Sequence, residues 1–210
     1  MTMRARIKIC GITRGEDAAL ACELGADWLG FNFYPGSPRY LDPADAERII
    51  ATLPAGTLPV ALFVNATVED IRRVIEACPV HVVQLHGDES PGLCREVRAL
   101  GVEVMKALRI RQPDDIARIG DYDTEYVLLD AFREELYGGT GETFDWDWIR
   151  PGGPAKVFLA GGITPDNIAQ ALAVGTWGVD LCSGVESAPG VKDPEKLRRL
   201  FAAIEEYHGR

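Results

Sequence analysis

Lys156-Val157-Phe158-Leu159-Ala160-Gly161-Gly162-Ile163-Thr164-Pro165 contains a complete structural unit in ten residues. A short apolar run predicts a buried strand, the glycine pair a tight turn, and Thr164 before Pro165 the start of a helix. The unit repeats. Eight such runs span Arg6 to Cys10, Trp28 to Tyr34, Leu58 to Val64, Val80 to His86, Val102 to Leu108, Tyr126 to Asp130, Lys156 to Ala160 and Val179 to Cys182. Helical patterns follow them, beginning near Glu16, Pro43, Val68, Pro91, Pro113, Asp147, Pro165 and Pro194. Five of these eight starts carry a proline, whose missing N–H costs nothing in a first turn. Asp42, Thr67, Ser90, Thr164 and Asp193 are N-cap types, and Gly25, Gly101 and Gly175 suit helix ends.

Strict alternation of strand and helix implies parallel strands with right-handed crossovers, hence an α/β protein. Eight repeats fit a closed (β/α)₈ barrel, where an open doubly wound sheet more often has five or six strands. No linker, low-complexity tract or charge block divides the 210 residues, so one domain is expected.

Twenty-two Lys and Arg against 32 Asp and Glu leave a net charge of −10, which argues against nucleic acid or an anionic membrane as partner. Apolar runs are far shorter than the ~20 residues that span a bilayer, and the N-terminus lacks a secretory pattern, so the cytoplasm is expected. The five cysteines include no C-x-x-C pair. Free thiols without zinc follow, with Cys22, Cys78 and Cys94 packed as small apolar groups. His81, His86 and His208 show no metal-ligand spacing, and no metal is expected.

A parallel barrel carries its chemistry at the C-terminal ends of its strands. There the chain places Cys10, the Asn32 to Tyr34 stretch, Asn65, Gln84 with His86, Lys106 with Arg109, Asp130, Gly161 with Gly162, and Asp180 with Ser183. Cys10 ends an apolar strand before a glycine and faces the barrel mouth, either as a base or nucleophile or as a packed thiol. Asp130 is a general acid if burial raises its pKa, or a structural cap of the next loop. Glycine-bearing ends on the last two strands, Gly161-Gly162 and Ser183-Gly184, offer N–H groups and a helix terminus to a phosphate. Arg39 lies in a proline-stiffened loop, where position alone favours a solvated surface arginine over a carboxylate clamp. The loop from Ala131 to Phe144 is long enough for a lid or is a plain surface loop, and Trp146 and Trp148 anchor a short helix.

Several of these segments resemble phosphoribosylanthranilate isomerases along nearly the whole chain. They are Lys8-Ile9-Cys10-Gly11-Ile12-Thr13, Gly30-Phe31-Asn32-Phe33-Tyr34 with Ser37-Pro38-Arg39-Tyr40, Phe63-Val64-Asn65, Val83-Gln84-Leu85-His86-Gly87, Leu128-Leu129-Asp130, Tyr137 to Gly141 with Phe144-Asp145-Trp146, Leu159 to Gly162, and Asp180 through Ser183-Gly184-Val185-Glu186 to Pro189-Gly190. The resemblance implies a cofactor-free Amadori rearrangement of a small phosphosugar by a monomer or homodimer. Cys10 matches the family's general base and Asp130 its general acid. Arg39 matches the residue for the anthranilate carboxylate, Gly161, Gly162, Ser183 and Gly184 those for phosphate, and Asp180 a partner of the sugar hydroxyls. Three positions depart from the pattern: Asn32 replaces an apolar residue, Cys182 a common serine, and Ala131 a common threonine or serine. Two other readings are a histidine-branch isomerase acting on a related phosphoribosyl aminoaldose, which would use aspartate in place of Cys10, and a non-catalytic phosphosugar-binding barrel.

Overall fold

The computed structural model describes residues 4–131, 144–149 and 155–209. Eight parallel strands close a barrel in sequence order: β1 (Arg6–Cys10), β2 (Trp28–Asn32), β3 (Leu58–Phe63), β4 (Val82–Leu85), β5 (Glu103–Ile110), β6 (Tyr126–Ala131), β7 (Lys156–Leu159) and β8 (Gly178–Leu181). Helices α1 (Gly15–Leu24), α2 (Pro43–Ile50), α3 (Val68–Ala77), α4 (Pro91–Arg98), α5 (Asp114–Ala117), α6 (Ile168–Ala173) and α7 (Pro194–His208) lie between and after them. The (β/α)₈ expectation holds.

Period-two alternation sorts the side chains into two cores. On β1, Ile7 and Ile9 join the layer between strands and helices, whereas Lys8 and Cys10 take the alternate face toward the barrel interior. The lower interior is an aromatic plug of Trp28, Tyr126, Phe158 and Trp177, with ring centroids 4.9–6.2 Å apart. Small residues make room for it: a methyl on Gly178 would meet the Phe158 ring at 2.5 Å.

The side chains of Asp42, Thr67, Ser90 and Asp193 cap α2, α3, α4 and α7 as expected. Thr164 does not cap α6. Asn167 instead accepts from Thr164 N at 2.8 Å and donates to Gly162 O at 2.9 Å, which winds the chain into a turn and delays the helix to Ile168. The helix expected near Asp147 is a three-residue 3₁₀ turn, Trp146–Trp148, within the described residues. α5 passes after one turn into a 3₁₀ segment containing Gly120. A small antiparallel hairpin, β9 (Glu186–Ala188) with β10 (Val191–Lys192), follows β8 and had no signal in the alternation. The proposed lid, from Ala131 to Phe144, lies outside the described residues except at its two ends.

Candidate active site

A pocket at the C-terminal mouth is lined by Cys10, Arg39, Asp130, Gly161, Gly162, Asp180, Ser183 and Gly184, together with Gly11, Asn32, Ser37, Leu62, His86, Ala160, Ile163 and Cys182. All eight residues singled out from the sequence therefore meet in one place.

Cys10 is buried at the end of β1, above Lys8 on the same face. Lys8 is fully buried and donates to Asp180 Oδ1 at 2.8 Å. Burial pushes the Asp180 carboxyl up to about 6: Lys8 opposes the shift, and Cys10 and Asp130 add to it. Desolvation works against the Lys8 ammonium, but its two anionic neighbours, Asp180 and Cys10, outweigh that and raise its pKa. At Cys10 the hydrogen bond from Cys182, with help from Lys8 and Lys192, overcomes burial and holds the thiol well below its usual range.

Asp130 is buried at the end of β6, with Oδ2 3.1 Å from His86 Nε2. Gln84 Nε2 sits 2.7 Å from the other ring nitrogen, Nδ1, while Gln84 Oε1 has no partner among the described residues. His86 thus orients the acid beside Ala131, which offers no side-chain hydrogen bond of its own. Only the position of His86 at a strand end hinted at this, because its partner is 44 residues away in sequence.

Arg39 belongs to the pocket and is not a surface residue. Its Nε and Nη2 grip Glu186 at 2.7–3.2 Å, a two-pronged ion pair that the sequence did not suggest. Lys192 Nζ also reaches Glu186, at 2.9 Å. Burial would lift the Glu186 carboxyl, but Arg39 and Lys192 together hold it below the usual carboxylate range. Asn32, apolar by expectation, is fully partnered: Oδ1 accepts from Tyr34 N at 2.9 Å and Nδ2 donates to Ser37 Oγ at 3.1 Å. Ser37 Oγ accepts in turn from Arg39 N, so Asn32 shapes the loop that delivers Arg39.

Across the pocket, Gly161 and Gly162 adopt φ of 84° and 65°, a region that side chains disfavour. A methyl on Gly161 would come within 2.9 Å of Asp130 Oδ1, and one on Gly184 within 2.0 Å of Ile163 O. Among the described residues, the backbone N–H groups of Gly161, Gly162, Ser183 and Gly184 meet no protein acceptor, the arrangement an anion requires. No α-helix begins at these N–H groups: β8 leads into a 3₁₀ turn, Ser183–Val185, and α6 starts at Ile168.

Other strand-end candidates are structural. Lys106 is buried and donates to Leu85 O, Gly87 O and Glu89 Oε2 at 2.8–3.1 Å, and Glu89 accepts from Asn65 N and Gly87 N. Arg109 pairs with Asp88. Among the described residues no group of His, Cys, Asp and Glu is arranged to hold a metal, and no helix is long and apolar enough to cross a membrane. All five cysteines are free thiols.

The family model for N-(5'-phosphoribosyl)anthranilate isomerase matches residues 7–203. The N-(5'-phosphoribosyl)anthranilate isomerase of Citrifermentans bemidjiense is 50% identical over 199 residues, covering 94% of this chain and 95% of that enzyme. Among solved structures, the Thermus thermophilus phosphoribosyl anthranilate isomerase superposes with a TM-score of 0.87 at 40% identity, over 96% of this chain and 98% of that one. A phosphoribosyl anthranilate isomerase in complex with reduced 1-(o-carboxyphenylamino)-1-deoxyribulose 5-phosphate gives 0.82 at 37% identity, over 96% of this chain and 99% of its own. From the barrel, the pocket and these likenesses together, the chain belongs to the N-(5'-phosphoribosyl)anthranilate isomerase family.

Proposed function

We propose that this chain, acting as one (β/α)₈ domain, converts N-(5-phosphoribosyl)anthranilate into 1-(2-carboxyphenylamino)-1-deoxyribulose 5-phosphate in tryptophan biosynthesis, with Asp130 as general acid and Cys10 as general base. The observation that carries the reading is the meeting of Cys10 and Asp130 in one pocket with the glycine-lined ends of β7 and β8.

The reaction needs only proton transfers. Asp130 gives a proton to the furanose ring oxygen; the ring opens to an iminium, and the C2 proton becomes acidic. The Cys10 thiolate removes that proton, and the enolamine tautomerises to the ketose. His86 holds Asp130 in place through the 3.1 Å contact. Protonated Asp130 donates to His86 Nε2, and the Nδ1–H of that tautomer finds an acceptor in Gln84 Oε1 once the amide turns over. The buried Lys8 ammonium supplies the positive charge beneath both Cys10 and Asp180. Asp180 accepts from the sugar hydroxyls, and the N–H groups of Gly161, Gly162, Ser183 and Gly184 take the phosphate. The Nη1 group of Arg39, which Glu186 leaves uncovered, takes the anthranilate carboxylate.

The test generates the labile substrate in situ from anthranilate and phosphoribosyl pyrophosphate with a separate transferase and follows the fall of its fluorescence. Rapid decay is expected with this protein and none with Cys10→Ala or Asp130→Ala. Unaltered turnover in either variant refutes the role given to that residue. Turnover of the histidine-branch substrate alone, or binding of a product analogue without turnover, refutes the reaction.

A further inference from the structure

The mechanism uses one thiol, and barrel closure sets a second beside it. β1 and β8 pair in parallel, with Lys8 opposite Asp180 and Ile9 opposite Leu181. Cys10 ends β1, and Cys182 follows directly on the end of β8. Cys10 shares a face of β1 with Lys8, and Cys10 and Cys182 both line the pocket above the Lys8–Asp180 ion pair. Cys182 packs against the small cluster of Cys10, Leu62 and Val64. From the hairpin side, Lys192 Nζ bonds to Cys10 O at 2.6 Å and to Cys182 O at 3.4 Å, so one ammonium ties the two backbones together.

The charges around the two sulfurs differ. Cys10 Sγ and Lys8 Nζ lie so near each other that one methyl on Gly30 would touch both, at 2.7 and 3.1 Å. Cys182 Sγ faces the Glu186 carboxylate, with Oε1 at 3.9 Å, and packs with the Arg39 stem over Gly11. Asp180 and Glu186 oppose negative charge in this region, while Lys8, Lys192 and Arg39 favour it. Lys8 is nearest Cys10 and Glu186 is bonded to Cys182, so the charge belongs on Cys10 and the proton on Cys182. The contact with Cys10, reinforced by burial, lifts the Cys182 thiol well above its usual range.

We propose that Cys182 is a positioning residue for Cys10: its single S–H, directed in this structure to Glu186 Oε1 at 3.9 Å, turns to the adjacent Cys10 sulfur when that sulfur is a thiolate and fixes it as the hydrogen-bonded base at the barrel mouth. This rests on the reading of Cys10 as the base, and the test separates the two by measuring Cys10 without turnover. Alkylation of Cys10 by iodoacetamide is followed from acid to alkaline pH by mass spectrometry of its peptide, in the parent protein, Cys182→Ala and Cys182→Ser. Thiolate fraction sets the rate. In Cys182→Ala the titration moves up and alkylation at neutral pH falls about tenfold, one pKa unit's worth. kcat falls with it while KM stays put, and the gap closes at alkaline pH. Serine keeps a donor in the same place and restores both. Superimposable alkylation profiles for the parent and Cys182→Ala overturn the proposal, and so does a serine variant that behaves like alanine. If Cys10→Ala retains turnover, the base assignment fails, while the alkylation profiles still report whether the contact exists.

Discussion

Gly30→Ala is a demanding perturbation because it adds one methyl next to the reacting sulfur and changes nothing else. Gly30 lies opposite Cys10 in the β1–β2 register. Its added carbon would stand 2.7 Å from Cys10 Sγ, 3.1 Å from Cys10 Cα and 3.1 Å from Lys8 Nζ. Non-bonded heavy atoms settle at about 3.5–4.0 Å, so the sulfur must retreat by about 1 Å. Leu62, Val64 and Cys182 already fill the space around it. A misplacement of that size costs about 10²-fold in rate, or roughly 2.7 kcal/mol on the barrier. Overpacking costs about 1–3 kcal/mol of stability, partly offset by the lower entropy of the unfolded alanine chain. Gly30 does not adopt a positive φ, so alanine adds no backbone strain. The expected protein is folded, binds substrate with nearly unchanged KM and turns over about a hundredfold more slowly. The fluorescence assay gives kcat and KM, and urea unfolding gives the stability. A folded Gly30→Ala protein with kcat within about threefold of the parent would refute the claim that this glycine keeps the sulfur in place.

Lys106→Met removes the cation from a buried ion pair that does not line the pocket. It is expected to destabilise by about 3 kcal/mol, the lower end for such a loss because Glu89 keeps its backbone N–H partners. Urea unfolding measures this, and adding Glu89→Gln should recover part of it. Arg39→Ala is expected to raise KM at least tenfold with a smaller effect on kcat, as a lost carboxylate clamp would, whereas an unchanged KM would reassign Arg39 to holding Glu186 alone. With its carboxyl pushed up to about 6, Asp180 is ionised above that pH and protonated below it, so it loses acceptor capacity as pH falls. The expected kcat/KM profile therefore has an acid limb near pH 6, which a profile flat through that region would contradict.

The fold was legible because its signals are local. Ile7 and Ile9 against Lys8 and Cys10 display the alternation that sorts a barrel strand, and Asp42, Thr67, Ser90 and Asp193 mark helix starts within a few residues of the atoms they satisfy. The site was legible where a strand ends in an unusual residue, as at Cys10 and Asp130. It was illegible where a partner comes from across the barrel. Lys8 meets Asp180 from 172 residues away, Arg39 meets Glu186 from 147, and Lys192 reaches Cys10 from 182. No periodicity or spacing carries contacts made by closure of β8 onto β1. Thr164 misled for the opposite reason, since a neighbour three residues on, Asn167, holds Thr164 N and Gly162 O in a turn and the helix starts only after it.

The aromatic plug divides the molecule optically as well as structurally. Trp28 and Trp177, two of the chain's four tryptophans, lie within it, capped by Lys156 at 5.0 Å from the Tyr126 ring and 5.2 Å from that of Trp177. Indole emission from these two is therefore a reporter of closure at the N-terminal mouth, while the anthranilate chromophore reports events at the other. Replacements in the plug should move the melting transition and the indole signal with little effect on turnover. Replacements around Cys10 should lower turnover far more than they change the indole signal. The two ends of the barrel are thus separate handles, one for durability and one for chemistry, on a single closed sheet.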